Sequence, residues 1–549
     1  PTDQPSIQAA VNIATSGDTV QVAPGTYYEH VVIPSRLTSL TLRGDTNNPA
    51  TTIVDGTANG SVFDMEGSQV TITGFTIRNA GNAYSAITSD KDASTNDYHN
   101  ISNNIIKTSL NGIYLRLSNR NTIFNNTFFD NYIRGIYLNN ADNNNINGNT
   151  IQESTYGIKI ETSSVGNTVI NNTISRTAFG IHLSGTSTYP STGNIISRNI
   201  ISAETPGNTA GIVFTWDSNT ADHNTVTGYA YGIWLYTCKN GKIFYNTLKN
   251  NSYGIRLQWL SSTSSLHNVS NNKLVNNEWG IEATYSAYNT FMANWIQDNT
   301  WGAFLSQSGL NTLYRNNFLD NIVQATTDSI NYWNKTEGNY WNDYTGKDEN
   351  PHDGIGDISY NFTGGKDYRP LMTTWSEHDI AIQNVTTSTN EPEVGETVDI
   401  TVTVQNRANI STSETFTVTT KYNSTIIGTQ TVTLAQGETA IKTFNWNTTG
   451  VASGNYTIRA EASTVPNELN TDNNNYTDGT IKIPLIGDIN DDDRVNDQDL
   501  ILLAQAFGST GGPPPSPNWN SNADLNKDNI IDVEDLLLLG QNYGKTAQS

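Results

Sequence analysis

GIYL at residues 112–115 returns as GIYL at 135–138, GIKI at 157–160 and GIHL at 180–183. It continues as GIVF at 211–214, GIWL at 232–235, GIRL at 254–257, GIEA at 280–283 and GAFL at 302–305. Successive starts lie mostly 21 to 23 residues apart, and the two wider gaps, 31 and 26, read as loop insertions. Between the copies runs an asparagine-rich phrase, NTIFNN from Asn121, NTVINN from Asn167, NVSNN from Asn268, NTFMAN from Asn289 and NTLYRNN from Asn311. Each unit has two or three short β-branched runs and no room for a helix. It cannot bury its own apolar side chains, whereas stacked units can. The spacing predicts a right-handed parallel β-helix of about fourteen coils rising ~4.8 Å each, roughly 65 Å long.

Alternation along a strand places the residues one and three after each glycine on one face. Ile113 with Leu115, Ile136 with Leu138, and so on to Ile255 with Leu257 should stack as inward aliphatic columns. The glycine suits a tight corner with positive φ. The asparagines suit a second corner, since Asn tolerates the left-handed region and its amide can pair with its counterpart one coil away.

With 549 residues, the chain exceeds one ordinary core. Lys plus Arg total 29 against 52 Asp plus Glu, a net charge of −23. That balance argues against nucleic acid or an anionic membrane as partner and suits a cation-binding protein. The one cysteine, Cys238, excludes an intrachain disulfide and reads as a small packed residue. No apolar run reaches the ~18 residues of a membrane span. No signal peptide is evident, and Pro1 reads as the start of a processed or trimmed chain. Fourteen N-x-S/T sequons, among them Asn59, Asn125, Asn171, Asn334, Asn423 and Asn455, are candidates for glycosylation in an extracellular setting.

A short helix over 6–14, capped by Ser6 and ended by Gly17, is the expected plug for the open end of the solenoid. The following run, GDTVQVAPGTYYEHVVI (17–33), resembles the first coil of the pectate-lyase-like β-helix superfamily. Residues 80–99 break the rhythm and should form a side loop. NYWNDYTGKDENPHDGIGDISY (339–360) resembles the closing segment of archaeal β-helix surface proteins, related to the copper-insertion β-helix protein of nitrous-oxide reductase maturation. Within it Asp348, Asn350, Asp353 and Asp357 are candidate ligands for an extra calcium, or else a solvated acidic turn. Copper is not supported, because Cu(I) prefers soft ligands and the chain has three Met and one Cys.

From Asp379 the period changes to strict alternation, as in VDITVTV (398–404), TFTVTT (415–420) and NYTIRAEA (455–462). About seven short strands predict a β-sandwich. VGETVDITVTVQN, TLAQGETAIKTFNWN and ELNTDNNNY resemble the cell-adhesion-related (CARDB-type) domain family, which implies a spacer or adhesion module without catalytic residues. After a short linker, Asp488, Asn490, Asp492, Asn496 and Asp499 take positions 1, 3, 5, 9 and 12 of a loop, and Asp524, Asn526, Asp528, Asp532 and Asp535 repeat them. Oxygen ligands at this spacing, with the carbonyls of Arg494 and Ile530 at position 7, suit Ca2+. Asp493 and Asn529 stand at position 6, where a left-handed residue is needed. Helices are expected from Asp499 and Asp535. The paired loops and helices resemble a type I dockerin. That family's usual contact positions 10 and 11 hold Asp497-Gln498 and Val533-Glu534 here, which departs from the small hydroxyl residues common in the family. The expected domains are a mostly β solenoid over 1–376, a β-sandwich over 377–483 and a small α-helical calcium-binding module over 484–549.

The outward column two after each glycine holds Tyr114, Tyr137, Lys159, His182, Val213, Trp234, Arg256, Glu282 and Phe304; the column four after includes Arg116, Glu161 and Tyr236. Aromatics with interleaved charges suit a sugar ligand, through ring faces and hydroxyl contacts. The weak catalytic candidates are Glu161, Asp217 and Glu282, which make a poor pair for glycoside hydrolysis. A binding or contact surface is favoured over catalysis. The sequence therefore implies an extracellular, calcium-binding surface protein of archaeal type: a filament, sheath or surface-layer subunit, or an adhesin. Its partner is itself, as a homopolymer, or a cohesin-like surface protein. The alternative is a secreted polysaccharide-binding protein, hydrolase or lyase carried by its dockerin.

Overall fold

The computed structural model describes residues 4–186, 188–204 and 209–547, with the side chains of 94, 96 and 260–264 left aside, so the reading of Pro1 as a processed start lies outside the described residues. The chain forms two compact units, Pro1–Trp375 and Ser376–Ser549. No helix among the described residues is long and apolar enough to cross a membrane.

The first unit opens with a helix, Ile7–Ile13. Ser6 caps it by accepting the Ala9 N–H at 3.1 Å, and Ile7 and Val11 are buried. The helix stops at Ile13 because Ala14 turns extended; Gly17, with φ +88°, lies beyond its end. A solenoid of parallel strands follows. One of its sheets has thirteen strands, from Thr19–Gln21 to Thr312–Tyr314. The repeat phrases stack in register: Ile113, Ile136 and Ile158 pair in sequence, as do Leu115, Leu138 and Ile160. All of these side chains are fully buried.

The structure corrects three expectations. The repeat glycines do not have positive φ. They face the core, where a Cβ on Gly112, Gly157 or Gly254 would sit 2.6 Å from the carbonyl oxygen of the glycine one coil on. Close coil-to-coil approach, not a left-handed corner, requires them. Residues 80–99 are no side loop. The strand Thr76–Asn96 runs through them and pairs with the next coil, Ile87 against Ile113 and Thr88 against Tyr114, with bulges taking up the extra residues. Ala86, between Ser85 and Ile87, takes the place of the glycine there, which hid the repeat.

The third correction concerns asparagine. The two expected properties fall on neighbouring residues. Asn103, Asn125, Asn171 and Asn271 are left-handed, as are the equivalent Arg198, His223, Tyr245, Ala293 and Arg315. The residue after each is the pairing one. Asn104, Asn126, Asn149, Asn172, Asn199, Asn224, Asn246, Asn272, Asn294, Asn316 and Asn339 form one buried ladder. Each Nδ2 donates to the next Oδ1 at 2.8–3.1 Å. A second ladder runs through Asn121, Asn144, Asn167, Asn194 and Asn219. It resumes through His267, Asn289 and Asn311. His99 and His267 stand in for asparagine, with Nδ1 accepting the N–H of Val70 at 3.2 Å and of Gly241 at 3.0 Å. Burial pushes His99 down to about 4, against the nearby Asp97 carboxylate, and His267 down to about 3.

The second unit begins with seven antiparallel strands. Ile380–Thr387, Thr397–Asn406 and Thr439–Asn447 form one sheet; Glu414–Tyr422, Thr425–Leu434, Gly454–Ala462 and Asn475–Ile483 form the other. The alternating Val398, Ile400, Val402 and Val404 meet Phe416, Trp446 and Ile458 in one core. Two helices follow, Asp497–Ala506 and Val533–Asn542, around Val495, Leu503, Ile531 and Leu539. Each starts two residues earlier than its apolar run suggested, because Asn496 and Asp532 cap it in a capping box with Asp499 and Asp535.

Two predictions follow from the ladders. Asn172→Ala strands the buried backbone N–H of Asn149, takes the Asn172 amide from the Ile146 carbonyl and breaks the ladder at that coil. At roughly 1–3 kcal/mol per unpaired group, it should cost about 3 kcal/mol or more. The exposed, left-handed Asn171→Gly should cost under about 1 kcal/mol. Chemical denaturation of both variants, followed by circular dichroism, checks this. For the histidines, both folded pKa values lie below the free value of 6.5, so the unfolded chain takes up protons first. Their stabilisation is present above pH 6.5 and is lost as pH falls towards 4 and 3. His267→Asn, whose amide can accept the same N–H, should leave neutral stability unchanged and reduce the fall in Tm on acidification. An equal fall in both proteins would refute it.

Candidate functional site

Two places concentrate polar chemistry: the outward face over the repeats and the loops before the two last helices.

On the solenoid, Tyr114, Tyr137, Lys159, His182, Val213, Trp234, Arg256, Glu282 and Phe304 align coil by coil in one register. They are more enclosed than their outward position suggested: Lys159 is 6 % exposed and Glu282 5 %. The cause is a flanking column that sequence reading missed, the residue just before each glycine. It holds Arg134, Tyr156, Phe179, Tyr231, Tyr253, Trp279 and Trp301. A scan of that position along the repeats would have found it. Coil spacing brings these rings onto one another, Tyr156 on Phe179 at 4.9 Å and Trp279 on Trp301 at 5.0 Å, both with planes 9° apart. Trp234 stacks on Tyr231 at 4.6 Å and Arg134 lies 4.2 Å over Tyr137. Many ring faces expected to be open for sugars are thus covered by protein neighbours, and the edges point outward.

The three carboxylates are held separately. Glu161 accepts the Tyr137 hydroxyl and lies 3.5 Å from Lys159 Nζ. Glu282 lies 2.9 Å from Arg256 Nε and accepts the Thr284 hydroxyl. Asp217, past the end of its strand, accepts the Lys239 N–H at 2.6 Å. Glu161 and Glu282 are separated by five coil steps, roughly 24 Å at the inter-strand spacing. Two-carboxylate glycoside chemistry works at about 5–9.5 Å. Burial raises the Glu282 carboxyl against the pull of Arg256, and burial with Glu161 raises the Tyr137 hydroxyl. Burial lowers the Lys159 ammonium, although Glu161 opposes it. His182 is pushed down to about 3 by burial and by Lys159.

In the first helix-preceding loop, Asp488, Asp492 and Asp499 offer carboxylate oxygens within 4.8 Å of one another. Their other contacts fix the loop. Asp488 accepts the N–H of Asp492 and Asp493, Asp492 that of Arg494, and Asp499 those of Ile489, Asn490 and Asn496, at 2.7–3.2 Å. The second loop repeats this pattern through Asp524, Asp528 and Asp535. Asp493 and Asn529 are left-handed, with φ +62° and +69°; so are Asp491 and Lys527 two residues earlier, which sequence reading missed. Burial raises the Asp488 carboxyl, and Asp499 and Asp492 raise it further. An all-oxygen set of this kind suits a hard cation.

The loop with Asp348, Asn350, Asp353 and Asp357 is different. Asp348 accepts the N–H of Gly354 at 2.8 Å, Asp353 that of Ile355 at 3.1 Å and Asp357 that of Glu349 at 2.8 Å. These carboxylates accept backbone N–H groups, and among the described residues the close group of three acidic side chains is the one at Asp488, Asp492 and Asp499. Of the sequons, Asn59, Asn125, Asn171, Asn423 and Asn455 are exposed and Asn334 is half-buried.

No curated protein sequence matches the chain. Among solved structures it is similar to the catalytic domain of a GH87 α-1,3-glucanase in complex with nigerose: 15 % identity, 62 % of this chain, 68 % of that one, TM-score 0.43. It is also similar to an alginate lyase from Paenibacillus sp. str. FPU-7, at 13 % identity over 51 % of this chain and 95 % of that one, TM-score 0.35. A third likeness is to the CARDB domain of the PF1109 protein from Pyrococcus furiosus in complex with di-metal ions: 26 % identity, 20 % of this chain, 93 % of that one, TM-score 0.18. Family models match in series: the periplasmic copper-binding protein (NosD) over 11–203 and 184–346, CARDB over 377–478 and the dockerin type I domain over 486–542.

Four of the solenoid's sulfur and imidazole donors are committed elsewhere. Cys238 is enclosed and burial pushes its thiol up, away from the thiolate a metal needs. Met65 is sealed in the core, and His99 and His267 spend Nδ1 on ladder N–H groups. The NosD match spans well over half of the residues, and the chain belongs to that β-helical family.

Proposed function

We propose that this is an extracellular, calcium-binding structural or adhesive protein of the cell surface, which joins its neighbours through the C-terminal module. The carrying observation is the pair of acidic loops with matching hydrogen bonds. Asp488, Asn490, Asp492, the Arg494 carbonyl, Asn496 and Asp499 would hold one Ca2+; Asp524, Asn526, Asp528, the Ile530 carbonyl, Asp532 and Asp535 would hold a second. Bound calcium would supply charge neutralisation and fix each loop against its helix. A docking role is supported by exposed apolar side chains at equivalent places in the two halves: Leu500 and Leu536, Ile501 and Leu537, Phe507 and Tyr543. Self-association of the chain is the favoured partnership, and a cohesin-like surface protein the other.

A second reading is polysaccharide binding on the solenoid face. Its support is the coil-by-coil alignment of aromatic and charged side chains on that face, among them Tyr114, Tyr137, Lys159, Trp234, Arg256 and Glu282.

Calcium should raise the Tm of the C-terminal module, and a chelator should reverse the gain. Asp492→Asn with Asp528→Asn keeps the turn-forming oxygens and removes one charge per loop, so calcium affinity should drop by about tenfold or more; a charge-assisted contact is worth ~1.5–3 kcal/mol. Isothermal titration measures it. Sedimentation in calcium should reveal assemblies that disperse on chelation. Monomers in both conditions would end the self-assembly reading and leave the cohesin-like partner to be tested.

A further inference from the structure

The fourth positions of the two acidic loops both reach the sandwich. Asp491 and Lys527 are equivalent there, and both are left-handed, with φ +59° and +61°. Asp491 pairs with Lys482, near the end of the strand Asn475–Ile483. Lys527 pairs with Glu393, in the turn between the strands Ile380–Thr387 and Thr397–Asn406. Asp493, at the sixth position of the first loop, lies 3.6 Å from the same Lys482 ammonium. The two sandwich partners sit at one end of that domain, since the Lys482 N–H donates to the carbonyl of Asn390, in the same turn as Glu393, at 2.8 Å. The sandwich and the terminal module keep separate apolar cores, one around Ile400 and Trp446, the other around Val495 and Leu539. A groove runs between them, with Val394, Val451 and Ile483 on one wall and Asn542, Gly544 and Lys545 on the other.

Exposed ion pairs are individually weak, because water competes for both partners and holding two long side chains costs entropy. They count only where the backbone that presents them is already fixed. Position 4 is flanked by ligand positions 3 and 5, Asn490 and Asp492 in one loop and Asn526 and Asp528 in the other. A cation that draws those oxygens to one point also fixes the left-handed residue between them. Lys482 meets Asp491 and Asp493, which stand outside the ligand set, so the ion pair and the bound ion are compatible. We propose that the two calcium loops are the joint between the sandwich and the terminal module. Loading them fixes Asp491 and Lys527, closes both ion pairs and holds the module in one orientation on the sandwich. Unloading them frees the module to turn on the short linker, Pro484–Ile486. This rests on the calcium reading above and gives the ion a second task, aiming the exposed face of Leu500 and Leu536.

The experiment is double electron–electron resonance on the full chain, with spin labels on Thr431→Cys and Gln505→Cys. These are exposed sites on the sandwich strand Thr425–Leu434 and on the helix Asp497–Ala506. The native Cys238 is buried and takes no label. Calorimetry counts the bound calcium in the same samples. The expected result is one narrow distance in calcium and loss of that peak in chelator. Lys482→Gln combined with Glu393→Gln should lose the peak even in calcium while both ions still bind, which shows that the module is folded. The reversed pair, Glu393→Lys with Lys527→Glu, should keep the peak, and Glu393→Lys alone should broaden it. A narrow peak in calcium and in chelator alike overturns the control by calcium. A broad distribution for the parent protein in calcium overturns the fixed joint. A narrow peak in the Lys482→Gln, Glu393→Gln variant, or a reversed pair no better than Glu393→Lys alone, overturns the ion pairs as its basis. No bound calcium overturns the calcium reading itself, so the two failures are told apart.

Discussion

A buried amide must find partners for every N–H and C=O, and in this solenoid it finds them one coil away. Each ladder asparagine gives its Nδ2 to the next Oδ1 and to a strand carbonyl, and its Oδ1 takes the backbone and side-chain N–H of the coil before. The bonds all run in one sense, so the amide dipoles add, as peptide dipoles do in a helix. Their donor end closes on Asp367. That carboxylate is fully buried and accepts the Asn339 N–H at 2.7 Å, the Trp341 indole at 3.0 Å and the Arg369 N–H at 3.0 Å. An anion at the positive end of a row of dipoles is the favourable placement. Burial pushes this carboxyl up, while the same hydrogen bonds hold it down.

The ladders also fix what the surface can do. With glycine, isoleucine and asparagine columns committed to the interior, variation is confined to outward columns, and equivalent side chains there recur at one coil spacing. Flat rings at that spacing fall into stacks. A surface built this way offers ring edges and charged groups, and few bare aromatic faces. The chemistry of the face is therefore that of hydrogen bonds and charge, although its composition suggested ring stacking.

Period and composition made the architecture legible: the coils, the cap at Ser6, the seven-stranded sandwich and the paired acidic loops all follow from spacing. What escaped was set by distances between coils. Gly112 looked like a corner residue because glycine is permissive; only the position of the Gly135 carbonyl reveals that no Cβ fits. The coil over 76–96 was hidden because Ala86 stands where glycine recurs and bulges lengthen the strand. Asparagine pairs such as Asn171-Asn172 read as one signal, yet the first supplies the turn and the second the ladder. The flanking column before each glycine was in plain view, but its variety, from Arg134 to Trp301, concealed that it is one column.

The acidic loops obey a different logic from the ladders. In the ladder every polar atom is satisfied from within. In the loop, Asn496 and Asp499 serve the backbone as cap and counter-cap of a helix, and the same Asp499 stands within 4.8 Å of Asp488 and Asp492. Backbone hydrogen bonds hold these carboxylates close while their charges repel, and the upward push on Asp488 comes first from burial and then from Asp499 and Asp492. The helix start and the cation-ready cluster are thus one construction. Whatever neutralises the cluster would also steady the cap, and through it the helix that carries the exposed Leu500. On the proposed function, an ion held there and the exposed apolar side chains of the helix would be coupled by shared atoms, with no need for a transmitted conformational change.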